Sequence, residues 1–353
     1  MADVAEVVAN PRPVDPRVAV VATQLREHER RLPSCGLIRL EHVTKQYPNG
    51  RFALRDLSLD MAEGELTVLV GPSGCGKSTT LKLINRLIEP TAGRVLLAGD
   101  DIAETDPVEL RRRIGYVIQQ IGLFPHLTVG GNVATVPRLL GWDKRRVSKR
   151  VDELLALVGL EPSVFRDRYP HELSGGQQQR VGVARALGVD PPVMLMDEPF
   201  GALDPVTRAR LQDELLALQA GVRKTIVFVT HDIDEAVKLG DRIAIMQNEG
   251  HVAQHATPAK ILAEPASDFV ASFVGSDRGL KLLSVTKIPR EALSSASLHE
   301  LRRDGPTVSE SASMKDALAE MVLHDTDRIA VVDAAGAVLG TLTLDAIATW
   351  RNR

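Results

Sequence analysis

Cysteine is scarce: Cys35 and Cys75 are the two in 353 residues. Cys75 lies inside a glycine-rich loop, so no disulfide framework is expected and a reducing compartment fits. Long apolar runs are also missing; nothing reaches the roughly 18 residues needed to cross a bilayer. The first residues carry Asp3 and Glu6 but neither a basic n-region nor a long apolar stretch, so no signal peptide is expected. Charge of one sign is lacking too. With 43 Lys+Arg against 46 Asp+Glu, the net charge is −3, which gives no global pull toward nucleic acid or acidic lipid. The length leaves room for about two domains.

What is present centres on Gly71-Pro72-Ser73-Gly74-Cys75-Gly76-Lys77-Ser78-Thr79. An apolar run, Leu66 to Val70, leads in. A helix-period run with Leu81, Ile84, Leu87 and Ile88 on one face leads out. Strand, glycine loop and helix form the context in which G-x-x-x-x-G-K-[ST] binds phosphate. Glycines let successive N–H groups turn inward on an anion. Lys77 supplies a positive charge for the β- and γ-phosphates, and the Ser78 hydroxyl suits Mg²⁺. The helix beginning near Lys77 aims its N-terminal dipole at the same phosphates. Cys75, close to that terminus and to Lys77, is expected to be unusually reactive.

Residues 1–36 carry Pro11, Pro13 and Pro16 and are expected to form a mobile extension. From Leu37, two short strands (Leu37 to Leu40 and Phe52 to Leu54) flank a turn at Tyr47-Pro48-Asn49-Gly50. Val95 to Ala98 reads as a strand, and 147–160 and 177–188 have helical spacing. Pro192 to Met196 and Thr225 to Val229 are continuous apolar runs, the mark of strands buried on both faces of a parallel sheet. A hairpin is expected from Ile243–Met246 to His251–Ala253, and Thr257-Pro258 opens a helix as N-cap and first residue. Residues 276–305 read as a connector. From Pro306 a separate unit begins: Ser313 with Asp316 forms a capping box, and Met314, Ala317, Leu318, Met321 and Val322 follow at helical spacing. Strands Ile329–Val332 and Val338–Leu342 complete it. At roughly 50 residues it is too small to hold a core unaided and is expected to pair with another subunit's copy.

Four further segments surround the phosphate loop. Leu173-Ser174-Gly175-Gly176-Gln177 reads as a second anion cradle at a helix start, or equally as an N-cap with flexible glycines. Asp197 and Glu198 end a buried strand; Asp197 suits Mg²⁺ held through water, and Glu198 is the candidate general base for an attacking water. His231, in Thr230-His231-Asp232, ends another buried strand, where an imidazole can reach a γ-phosphate or serve structure. Gln119, in Tyr116-Val117-Ile118-Gln119-Gln120, can sense both a metal and a neighbouring surface.

In this order the segments resemble the ATP-binding cassette (ABC) family of ATPases over about residues 37–275. The resemblance implies an α/β P-loop NTPase fold, a mixed sheet with a helical subdomain at about 125–190, binding ATP and Mg²⁺. It makes Gly71 to Thr79 the Walker A loop, Gln119 the Q-loop glutamine and a metal contact, and Leu173 to Gln177 the signature. It makes Asp197 and Glu198 the close of Walker B, Gly201-Ala202-Leu203-Asp204 the D-loop and His231 the switch histidine. Tyr47 falls where the family places the aromatic that stacks on adenine. The family's mechanism implies two copies head to tail, each ATP between one Walker A and the other subunit's Ser174, Gly175, Gly176 and Gln177.

A transporter would need separate transmembrane permease subunits and a substrate-binding protein, placing this chain peripherally on the cytoplasmic side of the membrane. Leu123 and Phe124, beside Gln119, suit a socket for a partner helix. Gln119 to Val129, Val136-Pro137-Arg138-Leu139-Leu140-Gly141-Trp142 and Asp277-Arg278 look similar to the quaternary-amine uptake branch, which imports glycine betaine, carnitine, choline or related osmoprotectants. The tail, 306–353, resembles a small α+β CBS domain, with two departures. One repeat is present, and one residue separates Thr343 from Asp345 where adenosine-binding motifs place two. Residues 281–353 hold 9 Lys+Arg against 10 Asp+Glu, so no basic sensor face is expected. The rivals are an importer for another solute such as an amino acid, and a soluble cassette ATPase on nucleic acid or ribosomes. Against the latter, Lys77 to Ser174 carries no sustained heptads, and Lys144, Arg145, Arg146, Lys149 and Arg150 read as a solvated helix face. No nucleic-acid partner is expected.

Overall fold

The structure, a computed structural model, describes residues 37–119, 122–201, 203–294 and 305–350. The expected extension at 1–36, Gln120 and Ile121 of the socket stretch, Ala202 of the D-loop and part of the connector lie outside the described residues. The chain divides into two compact units. One comprises the residues up to Asp232 with Leu239–Val252; the other comprises Ile233–Lys238 and the chain from Ala253 on.

The first unit holds two sheets. β1 (Ile38–Gln46) and β2 (Phe52–Met61) pair antiparallel across the Tyr47–Gly50 turn. Both are longer than their apolar residues suggest, because their outer faces alternate into charge. β3 is Leu66–Val70; β4 (Ala92–Leu97) lies on the other side of β1, and β5 (Asp100–Asp101) pairs with β4. The second sheet contains five parallel strands. β6 is Ile114–Val117, β7 Val193–Asp197, β8 Thr225–Thr230 and β9 Arg242–Met246; in space they run β9-β3-β8-β7-β6. Every residue of β3, β7 and β8 is buried, as their unbroken apolar runs require. Leu69, Leu195, Val227 and Ala244 join Leu40, Leu54 and Leu81 in one core. The hairpin after β9 closes by the Gln247 N–H donating to the His251 carbonyl at 2.7 Å.

Two readings of periodicity need correction. The helix leaving the phosphate loop, α1 (Lys77–Ile84), stops at Asn85, and Leu87 is 47% exposed instead of continuing the buried face. The basic cluster Lys144 to Arg150 is not wholly solvated. Arg150 is buried and donates to the carbonyls of Leu187 and Gly188.

In the second unit, Thr257 caps the helix Pro258–Ala263, with its hydroxyl accepting from Lys260 N. β10 is Val252–Ala256, its last four residues in this unit. The tail forms a three-stranded sheet from β11 (Thr307–Ser309), β12 (Arg328–Val332) and β13 (Val338–Thr343). The Ser313–Asp316 capping box opens the helix Met314–Leu323, which buries Met314, Ala317 and Met321 but leaves Val322 73% exposed. The connector is not featureless. Its helix, Arg278–Val285, contributes Leu283 to the tail's apolar cluster, and Ile288 and Leu293 follow. The tail therefore gains core within its own chain, where the sequence reading looked only to a second copy.

A phosphate-loop site at the ends of four parallel strands

Four adjacent parallel strands, β3, β8, β7 and β6, end in functional groups on one edge. This is the crevice beyond the carboxyl ends where open α/β sheets bind ligands. The loop after β3 wraps back so that α1 starts at Lys77, with Gly76 as its N-cap. Gly76 has φ of 113°, and a Cβ there would lie 2.5 Å from Leu54 Cδ2 and 2.8 Å from the Ala53 carbonyl. At Gly71 a Cβ would lie 2.2 Å from the Met246 carbonyl. Both positions exclude a side chain, which is the physical demand behind those glycines.

Lys77 is nearly buried, and its ammonium donates to the carbonyls of Gly71 at 2.7 Å and Pro72 at 3.0 Å. Its charge is thus held at the loop's centre. Ser78 donates from Oγ to Asp197 Oδ1 at 2.9 Å, tying α1 to the end of β7. Burial pushes the Asp197 carboxyl up; the Ser78 hydrogen bond pulls it down, and the neighbouring Glu198 charge pushes it up again. Burial also pushes Tyr116 up to about 12, with the Asp197 charge adding to the effect.

Glu198 has a left-handed backbone, φ 46°, and its N–H donates to the Val229 carbonyl at 3.0 Å. Its two carboxylate oxygens face different strands. Gln119 Nε2 donates to Oε2 at 3.2 Å, and His231 Nδ1 stands 3.3 Å from Oε1. The carboxylate at the end of β7 is therefore gripped from both neighbours, by the second residue after β6 and the first after β8. A cleft of about 440 Å³ opens here, lined by Tyr47, Ser73, Lys77, Ser78 and Thr79 with Glu198.

Not every expected residue lines that cleft. Cys75 is fully buried in the core, which closes the solvent route its expected reactivity needs. Ser174 to Gln177 are absent from the lining. Ser174 instead caps the helix Gly175–Ala186 in a full capping box: its Oγ accepts from Gln177 N at 3.3 Å, and Gln177 Oε1 accepts from Ser174 N at 3.0 Å. Ser174 and Gly175 remain exposed, and a Cβ on Gly175 would meet nothing within 4 Å. The cap and the cradle read from the sequence are therefore compatible. Asp204 is also outside the cleft; it caps the helix Pro205–Val222, and the Thr207 N–H it accepts holds its carboxyl below the usual range.

The cleft also includes Asn49 and Arg51, which the sequence reading passed over. Their signal was proximity to Tyr47 in a tight turn: Tyr47 N donates to the Arg51 carbonyl at 2.9 Å, and Arg51 N donates to Asn49 Oδ1 at 3.1 Å.

A second groove, about 400 Å³, lies beside the Gln119 segment and is lined by Tyr116, Ile118, Phe124, Val136 and Arg185. Phe124 is 41% exposed, and Leu123 is half-buried. The loop is held by fully buried Asn132. Its Oδ1 accepts from Phe124 N at 2.8 Å, while its Nδ2 donates to the carbonyls of Phe124, Leu127 and Thr128 at 3.0 to 3.2 Å. Arg185 donates to the Gly122 carbonyl at 2.7 Å.

A phosphate loop with this carboxylate, glutamine and histidine around it defines a nucleotide-hydrolysing cassette. The chain belongs to the ABC transporter family. The family model described as ABC transporter matches residues 54–201, and one described as CBS domain matches 298–352. The glycine betaine/carnitine/choline transport ATP-binding protein OpuCA of Bacillus subtilis (strain 168) is 49% identical over 90% of this chain and 81% of its own length. The osmoprotectant import ATP-binding protein OsmV of Salmonella typhimurium (strain LT2) is 48% identical over 86% of this chain and 78% of its own. The glycine betaine uptake system ATP-binding protein YehX of Escherichia coli (strain K12) is 49% identical over 87% and 97%. Among solved structures, the dimeric ABC transporter cassette MJ0796 superposes with a TM-score of 0.58 at 39% identity, covering 63% of this chain and 98% of that one. A post-hydrolysis dimer of the same cassette, bound to ADP and Pi, gives 0.58 at 38% identity with the same coverage. The protein is thus an ATP-binding subunit of the transporter ATPase class. Among the described residues no helix is long and apolar enough to cross a membrane.

Proposed function

We propose that this chain hydrolyses ATP to drive uptake of quaternary ammonium osmoprotectants through separate permease subunits. The observation that carries the reading is the convergence of Gln119, His231 and the Ser78–Asp197 pair on Glu198 and Lys77 at one strand edge. Glu198 is the proton acceptor for the attacking water. The Gln119 and His231 contacts orient its two oxygens, and its part-exposed position beside the phosphate loop leaves room for a water. Lys77 neutralises the polyphosphate. His231, mostly exposed, is free to turn from Glu198 toward a γ-phosphate oxygen.

The donor set fits Mg²⁺: a hydroxyl on Ser78, a carboxylate on Asp197 and the Gln119 amide oxygen are hard ligands. Among the described residues no group of three or more His, Cys, Asp or Glu forms a metal cage, so phosphate oxygens and water would supply the other ligands. When bound, the ion would offset charge developing on the phosphates.

The exposed Ser174–Gln177 terminus, outside its own chain's cleft, supports a head-to-tail pairing in which each copy completes the other's site. Tyr47 supports adenine stacking. The groove at Phe124 is the seat for a permease helix, which would hold the chain at the cytoplasmic face of the membrane with a substrate-binding protein acting on the far side. The solute class rests on the named relatives, which serve glycine betaine, carnitine or choline. The test is uptake of labelled glycine betaine, choline and carnitine by vesicles holding this subunit with the permease encoded beside it. ATP-dependent uptake of at least one supports the reading. ATPase activity that no quaternary amine stimulates, together with stimulation by an amino acid or RNA, overturns it.

A further inference from the structure

The segment 45–55 that carries Tyr47 holds three cations, and two of them are engaged. Lys45 donates its ammonium to the Glu89 carbonyl at 2.6 Å, with that ammonium 5.7 Å from the Tyr47 ring centre. Arg55 pairs with Glu249 at 2.7 Å and lies 4.0 Å over the Phe52 ring. Arg51 differs. Among the described residues its guanidinium has neither an ion-pair nor a hydrogen-bond partner, although its main chain is fixed on both sides of the turn. The guanidinium also overhangs the phosphate loop: its Nη2 lies 3.6 Å from where a Cβ on Gly74 would stand. It shares the 440 Å³ cleft with Tyr47, Ser73 and Lys77.

We infer that Arg51 is a nucleotide-binding residue that closes on the polyphosphate from the side opposite Lys77. This rests on the reading of the cleft as an ATP site. Lys77 is nearly buried, its protons directed at the loop's own carbonyls; Arg51 is exposed, with its guanidinium over Gly74. A planar guanidinium with five donors can bridge two phosphate oxygens, which a point charge cannot. The fixed turn reduces the ordering needed on binding. Because Tyr47 and Arg51 are tied by a main-chain hydrogen bond, base and phosphates would be gripped by one rigid turn.

The prediction is that the contribution requires a polyphosphate. In equilibrium titrations of the purified chain with fluorescent ATP, ADP and AMP analogues, Arg51→Gln should weaken ATP and ADP about tenfold, the scale of one exposed charge-assisted contact. AMP should change about twofold or less. Arg51→Lys should recover part of the ATP affinity. Raising salt should weaken ATP binding less in Arg51→Gln than in the parent, since one screened contact is gone. Equal affinities for parent and Arg51→Gln across all three nucleotides would overturn the inference and leave the site reading intact. Equal losses for ATP, ADP and AMP would also overturn it, since that pattern means the turn has displaced Tyr47. If the parent binds no adenine nucleotide while Lys77→Ala is indistinguishable from it, the site reading itself fails.

Discussion

Replacing Glu198 with Gln separates binding from chemistry at this site. The side chain keeps its length, so the Gln119 amide, now 3.2 Å from Oε2, can still donate to the new carbonyl. The new NH₂ would face His231 Nδ1, now 3.3 Å from the carboxylate, and can donate to it. The fold should be unmoved. What is lost is the proposed proton acceptor, and general-base removal costs about 10² to 10⁴ in rate. We expect kcat to fall about 10³-fold, roughly 4 kcal/mol at 1.36 kcal/mol per tenfold. ATP affinity should rise, because one negative charge leaves a cleft that takes a polyanion. At the scale of a part-exposed charge contact, that gain is about 1.5- to 5-fold. A pH effect follows from Asp197, whose carboxyl is pushed up mainly by burial and in smaller part by the Glu198 charge. The protonated acid cannot serve Mg²⁺, so MgATP binding weakens as pH falls, starting above the ordinary carboxylate range. In Glu198→Gln one upward push disappears, and the acid midpoint should move to lower pH. Phosphate release for kcat and titration across pH 4 to 8 for MgATP affinity measure both. Near-parental turnover, or an acid midpoint that moves upward, refutes the reasoning.

Gly76→Ala should abolish nucleotide binding and cost at least about 2 kcal/mol of stability, since its Cβ would sit 2.5 Å from Leu54 Cδ2 at φ 113°; parental affinity would contradict this. Lys224→Met should destabilise the chain by about 3–5 kcal/mol in urea melts, because Asp190, 2.7 Å away with side chains 4% and 1% exposed, would keep a buried charge. Adding Asp190→Asn should recover most of that loss, and a single variant within 1 kcal/mol of the parent would defeat the argument. Deleting 306–353 should spare basal ATPase activity but raise binding of an apolar dye, since Leu283, Ile288 and Leu293 lose the core they join; unchanged dye binding would place those residues elsewhere.

The parts legible in the sequence are those where a single local demand fixes the residue type. Val193 to Met196 and Ile226 to Val229 announce buried parallel strands because water touches neither face. The phosphate loop is legible because Gly71 and Gly76 leave no room for a Cβ. The Ser313–Asp316 box is legible because the cap and its partner lie three residues apart. Tertiary context decides the rest. Arg150 reads as one more basic residue until the carbonyls of Leu187 and Gly188, nearly forty positions away, claim it. Leu87 keeps the helical period, but the chain turns at Asn85 before reaching it. Asn49 and Arg51 look like ordinary turn residues; closeness to Tyr47 is their one local signal, and it does not say that the turn folds over a loop some twenty residues downstream. The two-sided grip on Glu198 is likewise invisible locally, since strand order alone brings 119 and 231 to either side of 198.

Buried Asn132 bears on how this scaffold can change over time. Its amide grips the stretch 124–128 through main-chain atoms alone, so that grip does not depend on which side chains the stretch displays. On the proposed permease seat, a substitution at Phe124, which lines the groove, would change what is displayed while the main-chain grip stays in place. A lineage could then refit the proposed seat to a new partner one residue at a time, without giving up those four hydrogen bonds.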